Sequence, residues 1–254
     1  MTTWDPRAYL QFSEVRFRAG LDLLAHIPPG SYRTIYDLGC GTGHLTQIVA
    51  ERFPGARVTG IDSSPEMLAE ARRGFPGITF AKADISSWQP EDVPDLIISN
   101  AVLHWVPSRE TLLQSLLRML APEGVLAVQV PRHFEMVSHS VLTEVVQQSA
   151  WPAVLEPLLV APWASPETIW KLLAPDASKL DIWETVYLQV LEGQDAVLNF
   201  MRGSTLRPLL SALSAEDGTK FLATLAARLT TAYPPQATGQ TLFPFRRFFL
   251  IARR

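Results

Sequence analysis

The sequence predicts an α/β fold, doubly wound around a mostly parallel sheet. Three observations carry this. Short apolar segments of strand length alternate with amphipathic helical segments through the first half of the chain. A glycine-rich turn, Asp37-Leu38-Gly39-Cys40-Gly41-Thr42-Gly43, joins the first strand to the helix that follows. The segment Asp95–Ser99 is apolar on both faces, as a parallel strand covered by helices on either side should be.

The elements follow in order. Tyr9 to Ile27 reads as an amphipathic helix, with Leu10, Val15, Leu21, Leu24 and Ile27 near helical spacing, and Pro28-Pro29-Gly30 ends it. Strands are expected at Thr34–Leu38, Arg57–Ile61, Ile78–Ala81, Asp95–Ser99 and Gly124–Val130. Helices are expected at His44–Phe53, Pro65–Arg73 and Thr111–Leu120, the first two bounded by Pro54-Gly55 and opened by Pro65. Beyond Val130 the chain becomes rich in proline and tryptophan. Two β-like stretches, Ile182–Val190 and Leu242–Ala252, are read as completing the sheet as an antiparallel pair at one edge. Helical patterns occupy Ala196–Met201, Leu206–Leu213 and Ala215–Ala232. The expectation is one domain over residues 1–254, its core at about 30–131 plus the strands near 181–190 and 241–253. Helical cap segments at about 134–175 and 192–235 would cover the pocket mouth, which in such sheets lies at the carboxyl ends of the strands.

Composition narrows the function. Of 254 residues, 47% are hydrophobic and 19% charged, which is globular and supplies a full core. A net charge of −3 argues against a broad basic face for nucleic acid. Nothing approaches the ~18 consecutive apolar residues of a membrane span, and Met1–Phe12 carries Asp5 and Arg7 without an apolar signal region. Cys40 is the only cysteine, so no intrachain disulfide can form, and no metal site is expected. A cytoplasmic monomer that acts on a small molecule fits these features.

The glycine turn would let a ligand approach backbone without Cβ atoms in the way, at the positive end of the next helix. Its partner is Gly60-Ile61-Asp62-Ser63-Ser64-Pro65, where Asp62 ends the second strand and suits a ribose diol. Asp62 is equally read as part of the cap of the helix opening near Ser64-Pro65, and the two roles can coexist. Together these features indicate a nucleoside cofactor. The spacing leans away from a dinucleotide, because Gly43 arrives one position early and His44 stands where the third glycine would be. Three further candidates are less committed. Asp84 reads as a turn former as readily as a ligand. Trp105 reads as core as readily as a pocket wall, and His104 reads as a structural hydrogen-bonder before it reads as a base.

The pattern Asp-x-Gly-x-Gly-x-Gly resembles the first motif of class I S-adenosylmethionine (SAM)-dependent methyltransferases. The resemblance implies a Rossmann-like, seven-stranded sheet and SAM as cofactor. It places Asp37, Gly39, Cys40, Gly41 and Gly43 around the methionine moiety, and Asp62 with Ser63 at the ribose. It places Asp84 and Ile85 at the adenine, and Asn100 facing cofactor and substrate. A closer resemblance, to the trans-aconitate 2-methyltransferase family, runs over nearly the whole chain. Its carriers are Tyr9-Leu10-Gln11-Phe12 with Arg16 and Arg18, Ala83-Asp84-Ile85 with Trp88-Gln89-Pro90, and Gly124 to Gln129. In the second half they are Asp181-Ile182-Trp183, Leu206-Arg207-Pro208, Gly239-Gln240 and Phe248 to Arg254. The chain departs from that family's pattern at His44-Leu45-Thr46, His104 and Pro131-Arg132-His133. All three departures bear on the acceptor side of the expected pocket.

The resemblance implies methyl transfer to a carboxylate of a small polycarboxylic acid, giving a methyl ester. A carboxylate is ionised near neutrality and needs no general base, so no catalytic residue is assigned and a rate flat from about pH 6 to pH 8 is expected. Arginines suit a polycarboxylate. Arg16, Arg18, Arg132, Arg202, Arg207 and Arg246 are candidates, each of which also reads as a solvated surface residue, with Arg207 and Arg132 preferred. Tyr9 and Trp105 would wall the site. The alternatives are methylation of another small molecule, such as an acyl-carrier substrate, natural product or phenol, with His104 or His133 as base, or a non-catalytic SAM-binding protein.

Overall fold

The computed structural model describes residues 13–132, 134–159 and 161–254, with backbone alone for residues 13–16. In chain order the main elements are α1 (Ser13–His26), β1 (Thr34–Leu38), α2 (His44–Arg52), β2 (Arg57–Asp62), α3 (Pro65–Gly74) and β3 (Thr79–Lys82). Then come β4 (Leu96–Asn100), α4 (Arg109–Met119), β5 (Val125–Pro131), α5 (Val137–Gln148), α6 (Pro166–Leu173) and β6 (Lys179–Glu192). The chain closes with α7 (Ala196–Arg202), α8 (Arg207–Ser211), α9 (Ala215–Ala232) and β7 (Gln240–Arg253). Tyr9 and His133 lie outside the described residues, as does the side chain of Arg16.

The seven strands form one sheet in the order β3-β2-β1-β4-β5-β7-β6. The first five strands are parallel, with Leu38 beside Ile61 and Asn100 beside Gln129 in register. β7 runs opposite to β5. The Arg254 N–H donates to the Gly124 carbonyl at 3.0 Å, while the Arg132 N–H donates to the Arg246 carbonyl at 2.9 Å, so the strands pass in opposite senses. The expected doubly wound sheet is therefore present, and its non-parallel member lies where the second-half strands were expected.

The chain clusters into two compact units. One holds the described residues up to Pro131 together with Ala164–Glu184 and Phe248–Arg254; the other holds Arg132–Trp163 and Thr185–Arg247. The core of the first is the strand layer: Ile35, Leu38, Leu96, Ile97, Ile98 and Val125 to Val128 are sealed from solvent. Helix α1 buries Ala19, Leu23 and Leu24, and α4 buries Leu112, Leu113, Leu116 and Leu117, the i, i+1, i+4, i+5 stripe of an amphipathic helix. Trp183 stacks on Phe249 with ring centroids 4.8 Å apart and meets the His26 ring at 4.3 Å. The second unit is built on α5 and α9. Arg228 of α9 pairs with Glu144 of α5, the Tyr233 hydroxyl accepts the Ser138 N–H at 3.0 Å, and Phe200, Phe243 and Phe245 form an aromatic cluster.

Several boundaries differ from the sequence expectation for physical reasons. Strands β6 and β7 run 14 residues each, longer than their apolar stretches. Lys179, Asp181, Glu184 and Glu192 give the outermost strand, β6, polar positions that mask its ends. Helix α4 begins at Arg109 rather than Thr111, because Arg109 turns its side chain inward and is buried. The helical pattern Leu206–Leu213 shrinks to α8, since Ser214 is committed to capping α9 by accepting the Asp217 N–H at 3.1 Å. No helix among the described residues is long and apolar enough to cross a membrane.

Asp95 fixes where β1 enters the sheet. Its Oδ2 accepts the N–H groups of Arg33 and Thr34 at 2.8 and 2.9 Å, and its own N–H donates to the Thr34 carbonyl at 2.9 Å. Asp95→Ala leaves two donors without that acceptor and is expected to cost ~1–3 kcal/mol in urea denaturation. Asp95→Asn, which keeps one acceptor oxygen, should lose less.

Candidate active site

A cavity of about 160 Å³ opens at the carboxyl ends of β1, β2 and β4, where ligands bind in open α/β sheets. Gly39 and Gly41 line it after β1, Asp62 and Ser63 after β2, and Met67 from α3. Ile85 reaches it from the segment after β3, and Asn100, Ala101, Val102 and Trp105 from the exit of β4.

The turn after β1 is held by its neighbour. The N–H groups of Gly39 and Cys40 both donate to the Ile61 carbonyl, at 2.7 and 3.0 Å. Gly39 has φ +78°, and a Cβ built there would fall 2.1 Å from a Val102 methyl. Only glycine combines that backbone with that approach. Gly41 also has positive φ, but a Cβ on it would meet nothing within 4 Å, so its missing side chain leaves the cavity open.

Asp62 is fixed from both sides. Its Oδ2 accepts the Gly41 N–H at 2.9 Å and its Oδ1 accepts the Ser64 N–H at 2.9 Å. An ionised carboxylate has about four acceptor sites, so each oxygen keeps one free for a diol. The alternative roles read from sequence are divided between two residues. Ser64 is the N-cap of α3, accepting the Met67 N–H at 3.2 Å with Pro65 in the first turn, and Asp62 faces the cavity.

Asn100 ends β4 at the cavity, and its Oδ1 is buried with no hydrogen-bond partner among the described residues. The next residue, Ala101, has φ +59°, an uncommon conformation for a residue with a Cβ, and its N–H donates to the Gln129 carbonyl at 2.8 Å. Strain of this kind gathers at functional sites. A buried acceptor lacking a donor, a carboxylate with free lone pairs and an unfilled glycine fit a polar ligand that spans β2 to β4.

The remaining expected residues sit elsewhere. Asp37 is 1% exposed and does not line the cavity; its Oδ2 accepts the Thr46 hydroxyl at 2.7 Å. Cys40 lies beneath the turn, against Leu68, Ala71 and Phe80. Burial, with the Asp37 and Asp62 carboxylates adding, pushes its thiol well above the ordinary range. Gly43 provides close packing, since a Cβ there would lie 2.8 Å from the Phe80 ring. Asp84 is exposed and outside the cavity lining, its Oδ1 accepting the Ser86 N–H at 2.9 Å and hydroxyl at 2.7 Å. Ile85, beside it, is the one that reaches the cavity.

On the acceptor side, Trp105 lines the cavity, while His104 is buried behind it with rings 4.8 Å apart. Arg109 donates from Nη1 to the His104 carbonyl at 3.4 Å and is 7% exposed. The sequence reading missed Arg109, because a helix-opening arginine beside Glu110 has the look of a surface pair. Arg132, Arg202, Arg207 and Arg246 belong to the second unit. Glu135 there joins Arg132 and Arg246, at 2.7 Å each. Arg207 opens α8 half-buried between the sealed Leu206 and Leu209, and Arg202 is exposed. Arg18, in the first unit, is exposed. Met67, Ala101 and Val102 are lining residues that the sequence reading did not single out; Met67 alone carries a periodic signal, on the inward face of α3.

Burial raises the Asp37 carboxyl from 3.8 to about 6; the Thr46 hydroxyl opposes this and the Asp62 charge adds to it. The folded protein thus holds this proton more tightly than the unfolded chain. The resulting preference for the folded state is present at acid pH and fades as pH rises from about 4 to about 6. At neutral pH the ionised group weighs against folding by roughly 3 kcal/mol. Asp37→Asn keeps an acceptor for Thr46 and is expected to flatten this dependence. Denaturation of the ligand-free protein at about pH 5 and about pH 7.5 should show wild type losing stability between them by more than the variant does.

Comparison with known proteins agrees with this geometry. Residues 35–124 match the family model described as a methyltransferase domain. The trans-aconitate 2-methyltransferase of Azoarcus sp. strain BH72 is 43% identical over 100% of both chains. That of Methylobacterium nodulans is 44% identical over 100% of this chain and 99% of its own. Among solved structures, YcgJ of Bacillus subtilis superposes with a TM-score of 0.60 at 16% identity, covering 94% of this chain and 98% of its own. Phosphoethanolamine N-methyltransferase 2 of Haemonchus contortus, solved with S-adenosylhomocysteine, gives 0.58 at 16% identity over 96% of this chain and 56% of its own. The fold is that of the class I methyltransferases, and end-to-end identity above 40% with these relatives shows that the chain belongs to the trans-aconitate 2-methyltransferase family.

Proposed function

We infer that the chain is a carboxyl O-methyltransferase that converts one carboxylate of trans-aconitate to its methyl ester, with SAM as methyl donor and S-adenosylhomocysteine as second product. Family membership supports the reaction, and the single observation that carries the site is the doubly anchored Asp62 facing the cavity. SAM supplies an electrophilic methyl on a sulfonium sulfur. Asp62 holds the ribose hydroxyls, Gly41 leaves room for the methionine moiety, and Ile85 and Met67 offer apolar surface to the base. Asn100 Oδ1 accepts a donor from the bound cofactor, which satisfies the atom that lacks one.

On this reading the acceptor brings its own nucleophile. A carboxylate oxygen attacks the methyl carbon, the carbon–sulfur bond breaks, and no proton moves. The protein has to align oxygen, carbon and sulfur and exclude water. Trp105 suits the second task as a wall of the cavity. Arg109, buried beside His104 and Trp105, donates to the His104 carbonyl and pairs with Glu110 at 3.5 Å, which steadies the segment that carries Trp105. The reading takes the enzyme to be cytoplasmic and its partner to be a small carboxylic acid.

Two expected outcomes test this. Asp62→Ala should weaken SAM binding by ~1–3 kcal/mol, one to two decades in Kd by calorimetry; unchanged affinity in a folded variant would remove Asp62 from the site. With trans-aconitate, kcat should stay level from about pH 7 to about pH 8.5, above the Asp37 transition, because the acceptor is fully ionised there. A rise of slope near one across that range would show a titrating group of the protein and overturn the base-free mechanism, with His104→Ala as the next variant.

A further inference from the structure

Gln129 lies at the carboxyl end of β5, one strand beyond the cavity-lining residues of β4. It is 0% exposed, and both its amide Nε2 and its Oε1 lack any hydrogen-bond partner among the described residues. Asn100, its register neighbour on β4, also carries a buried amide oxygen without a partner among the described residues. Paired residues on parallel strands point to the same side, so the two amides share one face. That face is covered by α1, because a Cβ on Gly20 would stand 3.3 Å from Asn100 Nδ2. A buried amide with neither donor nor acceptor satisfied is expensive, and a leucine of similar size would remove the cost. Core packing therefore gives no reason for glutamine at this position, whereas a ligand that brings polar atoms does.

The order of the strands says which ligand. The cavity runs from Asp62 on β2, past Gly39 and Gly41 after β1, to Asn100 on β4, and the next strand in the sheet is β5. A donor laid along that line with its ribose at β2 brings its methyl to the β4 side. In-line transfer then requires the attacking oxygen to lie further along, towards β5. We propose that Gln129 binds the acceptor, its Nε2–H donating to an acceptor carboxylate and holding the reacting oxygen opposite the methyl. The proposal rests on the carboxyl-methyltransferase reading given above. Glutamine suits the task, since it offers a neutral donor that neither competes as a nucleophile nor changes charge with pH.

The test compares Gln129→Leu and Gln129→Glu with wild type, using trans-aconitate as acceptor and S-adenosylhomocysteine as the calorimetric probe of the cofactor site. Gln129→Leu is expected to melt no lower than wild type and to bind S-adenosylhomocysteine within about twofold. Its acceptor KM should rise about 10- to 100-fold, the loss of one hydrogen bond to a charged group. Gln129→Glu, which sets a carboxylate against a carboxylate, should lose more kcat/KM than the leucine variant, and Gln129→Asn should recover part of the loss. A leucine variant with wild-type acceptor KM overturns the assignment. So does one whose cofactor affinity falls in step with its acceptor KM, which would give Gln129 to the cofactor. Failure of the underlying reading shows in wild type itself, as binding of S-adenosylhomocysteine without turnover of any carboxylic acid, and it removes the proposal as well.

Discussion

Three backbone donors tie the exit of β1 to the exit of β2: the N–H groups of Gly39 and Cys40 on the Ile61 carbonyl, and that of Gly41 on the Asp62 carboxylate. The rest of the site depends on this clasp. It sets the backbone of the turn and, through the third bond, orients the carboxylate before any ligand arrives. A group already held in its bound geometry loses little entropy on binding. The clasp also draws Gly39 close enough to β4 for Val102 to fill the space where a side chain would have been. The residues that follow, up to Trp105, thereby acquire a fixed position against the turn.

Charge around the clasp is arranged with equal economy. Asp37 and Asp62 stand at the ends of neighbouring strands, one sealed in the core and one at the cavity. Burial and the neighbouring Asp62 charge keep the sealed carboxyl protonated up to about pH 6, so the two carboxylates are charged together only above that range. The same pair of carboxylates, with burial, keeps the Cys40 thiol protonated. Thiolates are far better nucleophiles than thiols. On the proposed function, the only cysteine of the chain thus sits within the glycine turn beside an electrophilic methyl without becoming a target for it.

Much of this was legible in the sequence, and the reasons are local. The strands β1, β4 and β5 announce themselves because they are buried almost throughout, and the glycine turn because positive φ at Gly39, Gly41 and Gly43 leaves few substitutes. Asp62 was legible by position, at the end of the second strand. Asp84 stayed ambiguous, since a turn-forming aspartate and a ligand-facing one look alike in sequence, and its Ser86 bonds engage one carboxylate oxygen alone. Arg109, Val102 and Gln129 were illegible because their importance comes from burial and tertiary neighbours. An arginine next to a glutamate reads as surface, and a glutamine inside Val125–Pro131 reads as an ordinary interruption of an apolar strand.

The contact between Gly39 and Val102 has an evolutionary consequence. The two positions are far apart in the chain, yet the space denied to one is occupied by the methyls of the other. A side chain at position 39 is excluded twice, by the left-handed backbone and by Val102. Shrinking Val102 lifts only the second barrier and opens a void beside the cavity. Neither residue can therefore drift singly without loss, and a compensating double change would still meet the backbone penalty. The pair should behave as a ratchet: once the valine settled into the notch above the glycine, the route back to any other turn at this place was closed.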